Sequence, residues 1–262
     1  MTGSELDYHR AVKAFYEYVL PYEGDPKAQL KIVHTFRTVE NADRISGSLK
    51  LDDEQRELVQ IIALLHDIGR FEQVRRWNDF RDSRSVDHAL LGAQILSGGL
   101  IRRFVSDPRW DDVILTCVAK HSSYSVEDIE DEHVRMHLHI LRDADKLDIF
   151  RVRAEEPHAV FGAVTKQGIE QGNVSEDVVR TFMSHECIRI ADKKTETDSV
   201  VMIAAMIFDM HMTETFRMLK ERDLPGRVFD RYAFRDAETI KKIRAEADRY
   251  IQDKCRDSLP CV

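Results

Sequence analysis

The sequence has no long hydrophobic run. The longest is VVMIAAMIF, from Val200 to Phe208, far short of the roughly 20 apolar residues that a helix needs to cross a bilayer. The first residues, MTGSELDYHR, also lack the basic start and the apolar core of a secretory signal. These absences predict a cytoplasmic protein that does not bind a membrane.

Cysteine, glycine and proline are also scarce. The chain has 4 cysteines, 11 glycines and 6 prolines in 262 residues, and the cysteines lack the paired spacing of a zinc knuckle or a thioredoxin-like motif. Reduced, structural thiols are therefore expected. A content of 43% hydrophobic and 33% charged residues is typical of an ordinary globular protein rather than a disordered one.

Positive charge is not in excess. The formal net charge is −8, whereas a general nucleic-acid-binding surface needs clustered lysine and arginine. The composition therefore argues against such a surface. If this chain binds a phosphate group, local positive charge or a metal ion must bind it.

Strand patterns are nearly absent, and apolar residues recur every three or four positions. This periodicity predicts an all-α fold, a helical bundle with additional C-terminal helices. The length fits one domain, with a core at about residues 26–152 and a helical extension at about 153–262, and residues 70–84 are predicted to be irregular or a lid. Helices are predicted over 25–47, 52–69, from about 85–87 to 98, and over 107–121, 127–152, 176–192, 199–222 and 237–254, with a break at Pro225 and Gly226.

Several of these helices carry a histidine or an aspartate where the pattern calls for an apolar side chain. One such histidine is usually a core residue bonded to a backbone carbonyl, but each further buried ionisable group adds its own cost of several kcal/mol, about 2–7 for an unpaired polar group. A divalent cation would compensate the whole set at once. The residues concerned are His34, His66, Asp67, His88, His121 and Asp145.

Two motifs in this set resemble those of a known family. LLHDIGR at Leu64–Arg70, with His34 before it and LRDADKLD at Leu141–Asp148 after it, is similar to the HD-domain superfamily over roughly Gln29–Arg151. The pattern of a histidine, a His-Asp pair and a distant aspartate is specific when all its parts occur in order. Helical phase agrees, because Asp145 falls on the apolar stripe of its helix and Asp143 does not.

The resemblance implies a ligand set. His34, His66, Asp67 and Asp145 would hold a first metal ion, and His88 and His121 match the two further histidines of those family members that hold a second metal, with Asp67 bridging. One or two divalent ions per chain are expected, from among iron, manganese, nickel, cobalt, zinc and magnesium.

The resemblance also implies a reaction, the hydrolysis of a phosphomonoester or a phosphodiester by a metal-activated water. Asp67 would hold the metals that activate this water, and His121 or Asp148 would assist proton transfer. The expected substrate is a nucleotide or a small phosphorylated metabolite. The stretch KHSSYSVEDI after Ala119 lacks the second histidine and the Gly-Tyr-Pro signature of cyclic-dinucleotide hydrolases, which disfavours cyclic di-GMP.

Five arginines lie between residues 70 and 84, with Trp77 and Phe80 among them. This segment is suited to holding a phosphate and stacking a base, although a solvated loop is the alternative. Arg70 and Arg84 lie closest in sequence to predicted metal ligands. Together with Lys146, beside Asp145, they are the predicted substrate-binding residues.

Two other functions share the same ligands. One is a mixed-valence di-iron oxygenase on an HD scaffold, in which Tyr22 and Glu23 would be extra ligands or lid groups. The other is a metal-stabilised binding module without turnover. A methionine stripe at Met202, Met206, Met210 and Met218 also leaves open a homo-oligomer, as an alternative to a flexible core.

Overall fold

The computed structural model describes residues 6–158 and 164–256, and all regular secondary structure within these ranges is helical. The predicted all-α fold is therefore confirmed. The chain divides into two compact units, Met1–Asp145 and Lys146–Val262, while the reading of the chain as one domain stays a prediction. None of the helices in the described ranges is long and apolar enough to span a membrane.

The first unit contains the residues predicted to bind metal. Short 3-10 turns join several of its helices, including one at Asp82–Arg84. Its α-helices are α1 (Tyr8–Val19), α2 (Pro26–Ser48), α3 (Asp53–Leu65), α4 (Ile68–Trp77), α5 (His88–Ser97), α6 (Asp111–Lys120) and the first part of α7 (Glu132–Glu155).

Three predicted helix starts in this unit are confirmed, each at an aspartate. The Asp25 carboxylate accepts backbone N–H groups at the start of α2, Asp52 does so for α3, and Asp87 for α5. The first N–H groups of a helix have no partner within the helix, so a carboxylate that accepts from them stabilises the helix by about 1 kcal/mol.

The second half of helix α3 is buried on nearly all sides. The helix packs against α1, α2 and α6, and a helical segment that is mostly apolar is stable when enclosed in this way. Each large aliphatic side chain buried there contributes about 1.5–3 kcal/mol. The buried residues are Leu58, Val59, Ile61, Ile62, Ala63, Leu64 and Leu65. The two residues after α3, His66 and Asp67, therefore follow a rigid element.

The predicted end of this helix at Gly69 is wrong, as is the irregular structure predicted for residues 70–77. The backbone leaves the helical conformation at Asp67 (φ −102°, ψ 17°), and α4 begins at Ile68. Phe71 and Val74 are buried one turn apart on α4. The charged residues around them obscure this short apolar pattern in the sequence. Gly69 lies inside α4 and permits a close approach of α5 rather than ending a helix.

The second unit contains the rest of α7 and further helices. The predicted helix over 199–222 is interrupted, because Met210 is extended (φ −111°, ψ 141°). The predicted helix from Glu176 ends at Met183, and Pro225 lies in the first turn of a helix instead of at a break. The helices are α8 (Lys166–Gln171), α9 (Glu176–Met183), α10 (Asp198–Ala204), α11 (Thr213–Arg222), α12 (Leu224–Phe229) and α13 (Ala237–Arg256).

Candidate metal centre

The first unit brings together the six residues that the sequence singled out as metal ligands. They come from α2, from the turn between α3 and α4, from the first residue of α5, from the residue after α6 and from α7. Five of the six are buried, and the side chain of the sixth, Asp145, is only slightly exposed. In chain order they are His34, His66, Asp67, His88, His121 and Asp145.

The four histidines form two pairs. In the first histidine pair, Nε2 of His34 and Nε2 of His66 are 3.4 Å apart. In the second histidine pair, Nε2 of His88 and Nε2 of His121 are 3.1 Å apart. Asp67 faces both pairs. Its Oδ2 lies 3.5 and 3.6 Å from the Nε2 atoms of the first pair, and its Oδ1 lies 3.3 and 3.8 Å from those of the second.

Asp145 adds a second carboxylate to the first histidine pair only. Its Oδ1 lies 3.0 Å from Nε2 of His34 and 3.9 Å from Nε2 of His66. Ligand atoms of His34, His66 and Asp145 all lie within 4.8 Å of one another, and so do those of His66, Asp67 and His121. The arrangement is thus one shared carboxylate between two histidine pairs, with an additional carboxylate on one side.

Two of the histidines are held by carbonyl groups at the end of the preceding helix. Nδ1 of His66 lies 2.6 Å from the carbonyl oxygen of Ala63, and Nδ1 of His121 lies 2.8 Å from that of Val118. These carbonyls are among the last four of α3 and α6, which lack partners within their helices. A carbonyl only accepts, so each Nδ1 carries the proton, and each Nε2 is left with a lone pair directed at the cluster.

Asp82 fixes the third histidine in the same way. Its Oδ2 lies 2.7 Å from Nδ1 of His88, and burial raises but hydrogen bonding to His88 lowers the pKa of the carboxyl group, to about 2 in total. The ionised carboxylate therefore accepts the Nδ1 proton, as carboxylates beside metal-bound histidines commonly do. The second ring nitrogen, Nε2, faces Oδ1 of Asp67.

These protonation states fit a divalent metal ion. Burial, followed by the charges of His88 and His66, lowers the pKa of His121 to about 3, so this ring is neutral at neutral pH and its Nε2 keeps a lone pair. A buried nitrogen acceptor of this kind needs a partner. Imidazole nitrogen and carboxylate oxygen are the donors that first-row divalent metals prefer.

Both carboxylates remain anionic. Burial alone would raise the pKa of Asp67, but Lys31, His66, Arg70 and His88 outweigh burial and bring this pKa well below its ordinary value. Burial also raises the pKa of Asp145, and the hydrogen bond and charge of His34 reverse the effect. The site therefore offers ionised oxygen ligands at neutral pH.

Sequence reasoning missed two residues that contact this cluster, Asp82 and Lys31. Asp82 also accepts hydrogen bonds from Arg70 (3.0 Å) and from Gln73 (2.8 Å), but it lies in a segment without periodicity that gives no local signal. Lys31 places its Nζ atom 2.6 Å from Oδ2 of Asp67. It precedes His34 by three residues on α2, a spacing that puts both on one helix face and could have indicated it.

The predicted substrate-binding arginines differ in position. Nε of Arg70 lies 3.5 Å from Oδ1 of Asp67, and its Nη1 donates to the carbonyl oxygen of Phe80. Arg84 is exposed at the end of the 3-10 turn that contains Asp82. A role in substrate binding stays a prediction for both.

Two other predicted site residues lie on α7 within the second unit. Nζ of Lys146 pairs with Oδ2 of Asp209 at 2.7 Å, and Asp148 is buried and pairs with Nε of Arg151 at 2.6 Å. Both side chains thus already take part in an ion pair. Their predicted roles in substrate binding and proton transfer stay predictions.

Replacing Asp82 by asparagine is expected to weaken metal binding at the second histidine pair by about 10–100-fold, the usual cost of losing a carboxylate that orients a metal-bound histidine. The amide of asparagine offers one acceptor instead of two, so it cannot serve both His88 and the donors of Arg70 and Gln73. Calorimetric titration of the metal-free protein with Mn²⁺ measures the change.

Asp79→Asn is the matched control, because Asp79 lies three residues earlier and its carboxylate pairs with Arg81. It should bind Mn²⁺ like the wild type. Equal Mn²⁺ affinity of the Asp82→Asn and Asp79→Asn variants would show that Asp82 does not orient His88.

A family model of the HD domain matches residues 32–150 of the chain. The matched range contains all six residues of the cluster. No curated protein and no solved structure was found to match the chain.

Proposed function

The chain belongs to the HD-domain superfamily through residues 32–150, and on that premise we propose that it is a metal-dependent phosphohydrolase. The proposed substrate is a nucleotide or another small phosphorylated metabolite. The observation that carries the proposal is the position of Asp67, whose two oxygens face two histidine pairs. This placement suits a carboxylate that bridges two divalent ions.

Divalent ions held by the six residues would activate a water molecule and neutralise charge on the phosphate. In the hydrolysis, the water oxygen forms a bond to phosphorus, the ester P–O bond breaks, and the alcohol leaves with a proton. Ala63, Val118 and Asp82 fix the ring orientations of three histidines, so the nitrogen ligands need little rearrangement. No serine or cysteine nucleophile is required.

We propose His121 as a ligand rather than as a proton carrier. Its Nδ1 proton is donated to Val118, and burial, followed by the neighbouring histidines, lowers its pKa to about 3. A general acid or base works best with a pKa near the operating pH, so this ring is poorly suited to proton transfer. Its unprotonated Nε2 is suited to binding a cation.

The oxygenase alternative depends on the same six residues together with Tyr22 and Glu23. The hydroxyl group of Tyr22 donates to Glu72 at 3.3 Å, and the carboxylate of Glu72 also accepts from Arg75 and Arg76. Glu23 is exposed. These contacts supply no observation that favours oxygen chemistry, so hydrolysis remains the proposed function.

The test is phosphate or alcohol release from panels of phosphomonoesters and phosphodiesters, with the full chain loaded with Mn²⁺ or Fe²⁺. We expect turnover of a member of these panels, and a loss of at least about 100-fold in the His88→Ala variant, since even residues that only orient metal ligands cost 10–100-fold. His137→Ala is the control, because His137 is equally buried and donates to the His133 carbonyl away from the cluster.

Oxygen uptake by the iron-loaded protein is measured on the same compounds. Substrate-dependent uptake without hydrolysis would replace the proposed function by the oxygenase. Tight binding of a compound without any product would replace it by the binding module.

A further inference from the structure

Lys31 reaches the buried centre of the metal site. Its Nζ atom lies 2.6 Å from Oδ2 of Asp67, and its side chain is 18% exposed whereas that of Asp67 is 3% exposed. The side chain thus leads from the surface of the first unit to the carboxylate that both histidine pairs face.

We propose that Lys31 binds the phosphate group of the substrate, and that its ammonium group and a metal ion at the first histidine pair would compete for the same oxygen of Asp67. The inference rests on the proposed function, since it needs a metal at the first histidine pair. Lys31 would then be a cation inside the site that binds the substrate phosphate, together with the predicted Arg70.

A metal ion and the ammonium group of Lys31 would compete for one oxygen atom of Asp67. Oδ2 of Asp67 lies 3.5 Å from Nε2 of His34 and 3.6 Å from Nε2 of His66, so a metal ion held by the first histidine pair would take this oxygen as a ligand. The ammonium group would then be only a few Å from a doubly charged cation, and their repulsion is strong in a buried site.

Of the two cations, the ammonium group of Lys31 is the one that can move. His66 is anchored by the Ala63 carbonyl, and Asp67 lies in a turn between two helices, so the metal ligands are fixed. Lys31 has a flexible four-carbon stem and a strongly hydrated head group. A metal ion at this oxygen would therefore displace the ammonium group of Lys31 from Asp67, while the backbone of Lys31 would stay on α2.

The displaced ammonium group of Lys31 would remain near Phe80 and Arg70. Nζ of Lys31 lies 5.7 Å from the centre of the Phe80 ring, and the guanidinium carbon of Arg70 lies 5.8 Å from the same centre. Nε of Arg70 lies 3.5 Å from Oδ1 of Asp67. Two cations thus border the two oxygens of one carboxylate and share one aromatic ring, which favours a phosphate dianion between them and the metal ligands.

The experiment measures affinities rather than turnover. Mn²⁺ is titrated into the metal-free full chain, and inorganic phosphate is then titrated into the Mn²⁺-loaded protein, both by calorimetry. Lys31→Met removes the charge at nearly equal length, and Lys31→Arg keeps the charge. Lys27→Met is the matched control, because Lys27 lies one turn earlier on α2 and its Nζ atom contacts Asn78 at 2.6 Å.

In Lys31→Met we expect phosphate affinity to fall about tenfold or more, the value of a charge-assisted hydrogen bond, while Mn²⁺ affinity is unchanged or higher. Lys31→Arg and Lys27→Met should bind phosphate within about threefold of the wild type, less than the tenfold that 1.4 kcal/mol represents.

Phosphate affinity of Lys31→Met equal to that of the wild type would overturn the inference. Weaker Mn²⁺ binding by this variant would also overturn it, because Lys31 would then support the metal ligands rather than compete with the metal. A wild-type chain that takes up no Mn²⁺, Fe²⁺ or Zn²⁺ would instead remove the proposed function, and the inference with it.

Discussion

Replacing Asp67 by asparagine is expected to abolish metal binding at both histidine pairs, with a loss of affinity greater than about 100-fold at each, more than the loss of a group that merely orients a ligand. The substitution keeps the shape of the side chain but removes the negative charge that both pairs share. One of its two oxygens becomes an NH₂ group, which cannot bind a cation. Elemental analysis of the purified protein, as metal ions per chain, gives the readout.

Asp145→Asn separates this shared role from the loss of any buried carboxylate. Asp145 contacts His34 and His66, so its substitution should reduce metal at the first histidine pair and leave the second pair able to bind. The expected order of metal content is wild type, then Asp145→Asn, then Asp67→Asn. Equal metal content in the two variants would contradict a bridging role for Asp67.

Gly69→Ala is expected to destabilise the first unit by about 3 kcal/mol, the upper end of the cost of adding a methyl group to a packed interior. The new Cβ atom would collide with the carbonyl oxygen of His88 and would lie 2.7 Å from the amide nitrogen of Gly92. These are backbone atoms, so α4 and α5 must separate. Chemical denaturation of the metal-free protein measures the change in the free energy of unfolding.

The same substitution should also disturb the metal site, because α5 begins with His88. Moving α5 away from α4 increases the distance between Nε2 of His88 and Oδ1 of Asp67. We therefore expect weaker Mn²⁺ binding in the folded variant. Gly47→Ala is the control. Gly47 is also helical, its added Cβ would meet Arg56 at 3.8 Å, and alanine in place of helical glycine stabilises by about 0.5–1 kcal/mol. Equal stabilities of the two variants would show that α4 and α5 do not need a glycine contact.

The helical class and most helix starts were accessible from the sequence because their causes are local. A capping carboxylate at Asp25, Asp52 or Asp87 acts on N–H groups two or three residues away, and apolar periodicity marks the buried face of a single helix. The six candidate ligands were also visible, since each is an ionisable residue at a position that burial would make costly without a partner.

Helix α4 and the role of Gly69 were not accessible from the sequence. Arginine and glutamate surround Phe71 and Val74, so the apolar signal of α4 is short. A glycine at that point is typical of a helix end. Glycine is needed at this position because α4 and α5 approach each other closely there. No local sequence pattern encodes the contact between these two helices.

Periodicity, capping and burial cost are properties of neighbouring residues, and they were enough to predict an all-α chain whose buried histidines and aspartates recur in an order that resembles HD domains. The positions of three side chains followed only from the packing of the helices: one oxygen of Asp67 faces each histidine pair, Asp82 holds His88, and Lys31 reaches Asp67. These contacts join separate elements, and their geometry depends on how the helices pack.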